Sequence, residues 1–465
     1  MNKIIFTLVT AFIFSSAAFG AQAQDILGRW YGLLHESGAY SKVILTVEKD
    51  KTKDAYYAVF ENTAQKEKTP VTAFSFDNPD VYFKIIDLAA EYKGSLDKDG
   101  IIKGIFKQNE TELNVNFSRN QTARIQDPLK PYPYTEEDIV FENKKAEIKL
   151  AATLTVPQGK TPFAAVVLIS GNGPQNRDEE IFGHKPFLVI ADYLTRNGIA
   201  VLRYDDRGVA NSEGHFGSAQ ISDFVSDVQS AVEYLKTRKE IDEKNIGLIG
   251  YGEGAAIASI TASEDNDISF IILLAAQGVS GKNIILKQTE LINKAAKTGK
   301  KQLKRDLRVN KKSIEIMTDT EDISKTRGLL IEYLGKAFDD FSPAEVPKGM
   351  GKTDFMRAYI NMYTNPRMLD YLNYNPAETL KKVKCPVFAV WGAKDLQISA
   401  KENFKAVKKA LEEGGNKNFA LKIFARLNHL FQECNTGLPE EYRQIEQTFA
   451  PEVLEEILKK IKGFF

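Results

Sequence analysis

Cysteine is nearly missing from this chain, with 2 in 465 residues. Cys385 opens a strand and Cys434 follows a loop expected at the opposite end of a sheet, so the pattern predicts two unpaired thiols. Net charge is missing as well: 62 Lys and Arg balance 62 Asp and Glu, so overall charge supports neither a nucleic-acid partner nor a membrane-surface one. Internal repeats and low-complexity tracts are absent. Histidine numbers 4, enough for one to fall at a strand end by chance, so a histidine there counts only together with an acid in the right order and context. After the first two dozen residues no apolar run is long enough to span a bilayer.

The early run is short. "MNKIIFTLVTAFIFSSAAFGAQAQ" has a Lys near its start, an apolar stretch from Ile4 to Phe19, and small residues ending at Ala21-Gln22-Ala23. That is the pattern of a secretory signal cut after Ala23, residues 1–23, with no stop-transfer flank. No Cys follows the cut, which speaks against a lipoprotein. The expectation is an exported protein, periplasmic or secreted, with no stable membrane insertion after cleavage.

What is present falls into two regions. Residues 24–120 alternate apolar and polar side chains in short runs such as "KVILTVEKD", "AYYAVFEN", "DVYFKII" and "TELNVNF", separated by "DNPD" and "KDG". This predicts a small all-β meander or barrel. A polar, proline-bearing linker follows at 121–135, containing "DPLKPYPYTEED". From 136 to 465 strands and helices alternate. "AAVVLIS", "IAVLRYD", "NIGLIG", "ISFIILLAA" and "PVFAVWG" are unbroken apolar runs, as expected of strands covered on both faces. They predict an α/β fold with a doubly wound, mostly parallel sheet. The β signal stops at about 277–383 and gives way to charged, helix-forming sequence, read as a helical cap. The Lys- and Arg-rich run from Lys294 to Lys312 is read as a solvated helix face.

The stretch "IGLIGYGEGAAIA" carries the central question. Gly250-Tyr251-Gly252-Glu253-Gly254-Ala255 fits the glycine fingerprint of a dinucleotide turn. That fingerprint also needs an acidic residue about 20 residues on, at the tip of the next strand. Here that strand ends "LLAAQG" and offers no carboxylate, so neither nicotinamide nor flavin is expected, and no other cofactor or metal. The same six residues fit a nucleophile elbow in which Gly252 stands where a serine would be, flanked by Gly250 and Gly254. An elbow predicts an acid after a later strand and a histidine after the strand beyond it. "PVFAVWGAKDLQIS" places Asp395, and "ALKIFARLNHLFQ" places His429, in that order. The loop in "VVLISGNGPQNRDE" can add backbone N–H donors, with those of Asn172 and Glu253 forming an oxyanion hole. In "RYDDRGVANSEG", Asp205, Asp206 and Arg207 are read as loop-locking charges.

From Pro131 onward the chain resembles the bacterial α/β-hydrolases related to serine aminopeptidases and acyl esterases. The resemblance rests on "ISGNGPQNRDEEIFGHKPF", "ADYLTRNGIAVLRYDDRGV", "IGLIGYGEGAA", "WGAKDLQIS" and "LNHLFQECNTG". It extends to the N-terminal module, "GRWYGLL" through "GIIKGIFKQNETELNVNF". Family members read G-H-S-E-G-G at the elbow; this chain differs at Tyr251, Gly252 and Ala255. The resemblance implies an ester or peptide hydrolase with Asp395 and His429 as acid and base. Glycine carries no atom able to form an acyl-enzyme, so the expectation is lost or strongly reduced turnover. The alternative reading is a non-catalytic protein whose pocket holds a small acyl or peptidyl ligand.

Overall fold

In the computed structural model, the described residues are 26–36, 39–50, 55–62, 67–98, 100–109, 111–119, 124, 126–128, 130–319, 322–341 and 351–464. The expected signal at 1–23 lies outside them, as do parts of the expected linker. The chain divides after Asp127 into two units.

The first unit is one antiparallel sheet. Its strands are β1 (Gly28–Glu36), β2 (Ala39–Asp50), β3 (Ala55–Asn62), β4 (Glu67–Pro70), β5 (Ala73–Asp77), β6 (Asp80–Ile85), β7 (Ala90–Leu96), β8 (Ile101–Gln108) and β9 (Thr111–Ser118). Their order is β4-β3-β2-β1-β9-β8-β7-β6-β5, so the first and last long strands pair in the middle. Alternation puts one face of each strand inward, and those positions are aromatic: Trp30, Phe60, Phe83, Tyr92, Phe106 and Phe117 are all buried. Phe60 stacks on Phe106 and Phe83 on Tyr92. The Tyr92 hydroxyl donates to the Val115 carbonyl at 2.9 Å and the Trp30 indole N–H to the Ile26 carbonyl at 2.7 Å, so the polar atoms these two rings bury are satisfied.

The second unit holds a sheet of eight strands in the order β10-β11-β13-β12-β14-β15-β16-β17. They are β10 (Tyr134–Asn143), β11 (Ile148–Pro157), β12 (Phe163–Ile169), β13 (Ala200–Tyr204), β14 (Ile241–Tyr251), β15 (Ile271–Leu274), β16 (Val387–Gly392) and β17 (Phe419–Phe424). Strands β12 to β17 run parallel, and the β10–β11 hairpin joins them antiparallel through β13. The strands expected from unbroken apolar runs are the central ones, buried along most of their length. The hairpin is an addition to the sequence reading, and β10 begins within the residues expected to be linker. The fold is that of an α/β-hydrolase preceded by an all-β module.

Helices α1 (Pro186–Arg196), α2 (Ile221–Lys236) and α3 (Glu253–Glu264) connect these strands. Between β15 and β16 come α4 (Gly281–Ala295), α5 (Lys300–Thr318), α6 (Ile323–Ala337), α7 (Lys352–Tyr363), α8 (Pro366–Asn373) and α9 (Pro376–Leu380). Most of these helices share a small core of their own, built on Val309, Leu334, Phe338, Phe355 and Tyr359. The remaining helices are α10 (Ala400–Glu413), α11 (Pro439–Tyr442) and α12 (Pro451–Lys462). The Lys- and Arg-rich run lies mostly on α5, where the apolar side chains Val309, Ile314 and Met317 turn inward and leave the Lys side chains outside. Cys385 and Cys434 are both unpaired.

Candidate active site at the carboxyl ends of the parallel strands

Parallel strands leave their carboxyl ends on one edge, where open α/β sheets place their sites. Gly252 sits there between β14 and α3, with φ 56° and ψ −113°, a conformation glycine accepts more readily than any other residue. Its N–H donates to the Leu274 carbonyl at 2.9 Å, tying the turn to the end of β15. The three glycines of the turn do different work. A Cβ on Gly250 would overlap the Gly254 carbonyl and come within 2.7 Å of the Ala255 nitrogen. One on Gly254 would overlap the carbonyls of Ile169 and Ser170. One on Gly252 would meet only the Asn172 Oδ1 at 3.3 Å and the Gly171 Cα at 3.8 Å. Packing therefore demands the outer two glycines, whereas at Gly252 only the backbone angle favours glycine.

Asp395 follows β16 and is buried. Its Oδ1 accepts from the backbone N–H groups of Gln397 at 2.7 Å and Ile398 at 2.8 Å, while Oδ2 lies 2.8 Å from the Nδ1 of His429. The carboxylate is thus fixed on one oxygen and offered to the imidazole on the other. His429 lies in a turn after β17 built by its neighbours. Asn428 Nδ2 donates to the Gln432 side chain at 3.0 Å, and the Gln432 N–H returns to the Asn428 side chain at 2.9 Å. Lys394, beside the acid, donates from Nζ to the Cys434 carbonyl at 2.6 Å and so binds the acid loop to the histidine loop. The bond at Nδ1 leaves Nε2 as the imidazole nitrogen able to handle a reacting proton.

Tyr251 stands where the family has His. Its ring is buried, pointing inward, with its centroid 5.3 Å from the imidazole. Its hydroxyl donates to the His429 carbonyl at 2.8 Å. The phenol thus props the histidine loop from within.

The expected oxyanion donors are differently engaged. The Glu253 N–H, first in α3 and so without an intrahelical acceptor, donates to the side-chain Oδ1 of Asn172 at 3.3 Å. Asn172 thus enters the site through its carboxamide, where the sequence suggested only its backbone N–H. The loop carrying it is held by buried carboxylates. Asp206 accepts from the Ser170 hydroxyl and from the Gln175 N–H, and Glu179 accepts from the Gly171 N–H at 3.1 and 3.2 Å. Asp205 accepts a two-pronged bond from Arg177, and Asp227 accepts one from Arg207. Asp205, Asp206 and Arg207 therefore lock loops.

Sequence reasoning missed the partner of the Glu253 side chain. Arg367, from α8, donates to it at 2.6 Å and lies over the rings of Phe216 and Phe224 at 4.2 and 4.6 Å. The pair is largely buried and ties a helix of the inserted region to the elbow. Its partners stand 114 positions apart, and the only local signal near Arg367 is the Asn365-Pro366 helix start.

Burial raises the Glu179 carboxyl from its ordinary range to about 8, the Gly171 N–H opposing and the Asp206 charge assisting. Burial likewise raises Asp206 to about 7, against the bonds from Ser170 and Gln175. An acid whose folded value is raised contributes stability below its unfolded value, and that contribution is lost as pH rises through the folded one. Stability is therefore expected to fall between about pH 5 and pH 8. Glu179→Gln, keeping an acceptor for Gly171, should make the decline shallower in urea midpoints measured from pH 5 to pH 9. An unchanged slope would remove Glu179 as its source.

Among the described residues no group of three or more His, Cys, Asp or Glu side chains is placed to hold a metal ion, and no helix is long and apolar enough to cross a membrane.

A family model described as serine aminopeptidase, S33, matches residues 185–327, which include the elbow. The esterase EstD of Thermotoga maritima is 23% identical over 336 residues, covering 72% of this chain and 68% of that protein. An acyl transferase of Photorhabdus luminescens is 31% identical over 134 residues, 29% of this chain and 39% of that one. Among solved structures, an esterase of Pyrococcus furiosus is 16% identical with a TM-score of 0.44, covering 71% of this chain and 91% of its own. With an elbow, an acid and a histidine brought to one edge of its parallel sheet, the chain resembles the α/β-hydrolases related to serine aminopeptidases and esterases over part of its length, and an all-β module precedes that part.

Proposed function

We propose that this protein retains the frame of a carboxylic-ester or peptide hydrolase without ordinary serine turnover, and that its site holds a small acyl or peptidyl ligand. One observation carries the reading. Gly252 occupies an elbow with room for a side chain, on the same strand edge as the bonded Asp395–His429 pair, yet offers no atom for acyl transfer. Loss of a triad serine costs about a millionfold in rate, although binding and oxyanion donors can leave measurable residual catalysis. Ser259 and Ser263 do not substitute. Their hydroxyls donate to the Ala255 and Ile260 carbonyls of their own helix. Activation of water by His429 alone would be slow. The N-terminal signal pattern supports export to a periplasm or the medium, and the balanced charge gives no support for a nucleic-acid partner.

The test uses the unmodified protein. Hydrolysis of p-nitrophenyl acetate and of aminoacyl p-nitroanilides should stay near background and should not change with His429→Ala. Rapid turnover that disappears with His429→Ala would overturn the proposal.

A further inference from the structure

We infer that the Asn172 side chain is a built-in occupant of the oxyanion position, so that any ligand using the Glu253 N–H must first displace a tethered carboxamide. The inference rests on the reading of Gly252 as the nucleophile position and adds a second obstacle to chemistry there. Three observations meet at one point. The Glu253 N–H is the first amide of α3 and has no acceptor within the helix. Its acceptor is Asn172 Oδ1, at 3.3 Å. The same oxygen is the nearest atom, at 3.3 Å, to where a side chain on Gly252 would begin. One neutral carbonyl oxygen thus lies beside both the donor and the nucleophile position, where an acyl carbonyl would have to lie.

The loop geometry holds it there. Ser170 and Gln175 are anchored on Asp206, and Gly171 on Glu179, so the backbone on both sides of Asn172 is fixed. Gly171 has no room to shift: a Cβ there would stand 2.9 Å from both the Glu179 carboxylate and the Tyr251 ring. Release of the donor therefore falls to rotation of the Asn172 side chain. The bond is long for an amide donor, as suits an occupant that yields to a better acceptor. A ligand carbonyl whose oxygen gains negative charge is such an acceptor, since charge-assisted bonds are the stronger ones. The ligand class follows: a carbonyl compound that develops or carries charge on that oxygen, in preference to a neutral alcohol or amine.

Two readouts test this, one independent of catalysis. Hydrogen exchange of the Glu253 amide should be about tenfold faster in Asn172→Gly than in the parent, and slower in Asn172→Asp, whose charged oxygen binds the same donor more tightly. Equal exchange in all three proteins would overturn the inference, whatever the site's activity. The second readout places the same changes in a Gly252→Ser background with p-nitrophenyl acetate. Asn172→Gly should raise kcat about tenfold with little change in KM, and Asn172→Asp should lower it. Equal kcat with Asn172 and with Gly at 172 would overturn the obstacle. If exchange responds as expected but no Gly252→Ser variant turns over, the occupant stands and the reading of a dormant triad fails.

Discussion

Gly252→Ser is expected to raise hydrolysis of p-nitrophenyl acetate by about a thousandfold or more, short of the full millionfold that a triad serine can carry. The reasons lie in what surrounds the position. A Cβ at 252 meets a single close atom, Asn172 Oδ1 at 3.3 Å, the end of a side chain that can turn aside. The backbone already has φ 56°, the conformation that an elbow imposes on its nucleophile. A serine must accept strain of about 1–3 kcal/mol that glycine avoids, so Gly252→Ser should melt earlier than the parent while staying folded. Asp395 is held by two backbone N–H groups and faces His429 at 2.8 Å, so the base is already oriented. Tyr251 supports the His429 carbonyl and need not be replaced by His. The gain stops short of the full factor because Asn172 holds the Glu253 donor. A folded Gly252→Ser protein with no gain would show that the site has drifted beyond one side chain.

The second large effect is on stability. Gly250→Ala should cost more than about 3 kcal/mol and reduce the yield of soluble protein, read as a fall in the urea midpoint. The added methyl would enter the Gly254 carbonyl and crowd the Ala255 nitrogen, both backbone atoms at the start of α3 that cannot rotate away. Strand β14 and helix α3 pack across this contact, so relief requires moving the helix. Comparing Gly250→Ala with Gly252→Ala separates the two roles. The second change adds φ strain and one contact with the end of the Asn172 side chain, which can turn aside, and should cost about 1–3 kcal/mol. Equal costs would mean that packing does not distinguish the glycines.

Much of this arrangement was legible in the residues because it is local. Unbroken apolar runs mark the central strands, since both faces are covered. The turn at Gly250 to Gly254, and the order of Asp395 and His429 after it, follow from strand ends along one chain. Other features were not legible. The β10–β11 hairpin follows a proline-bearing stretch, and its first strand alternates outward charges such as Glu137 and Glu142 with buried Ile139 and Phe141. Its pairing with β13 is set by the sheet and has no local cue. The wiring of the oxyanion loop was hidden for the same reason: Ser170 finds Asp206 36 positions later, and Glu253 finds Arg367 after 114. Asn172 illustrates a further limit. Its residue type was noticed, but whether its backbone or its side chain faces the elbow depends on a rotamer that no spacing rule contains.

On the proposed reading the acid–base pair is intact and only the nucleophile is missing. The most direct test measures p-nitrophenyl acetate turnover, in one assay, for the unmodified protein and Gly252→Ser, each with and without His429→Ala. Near-background rates are expected for the unmodified protein with either residue at 429. A large gain is expected for Gly252→Ser, abolished by His429→Ala. His429-dependent turnover by the unmodified protein, or a Gly252→Ser gain indifferent to His429, would contradict that reading.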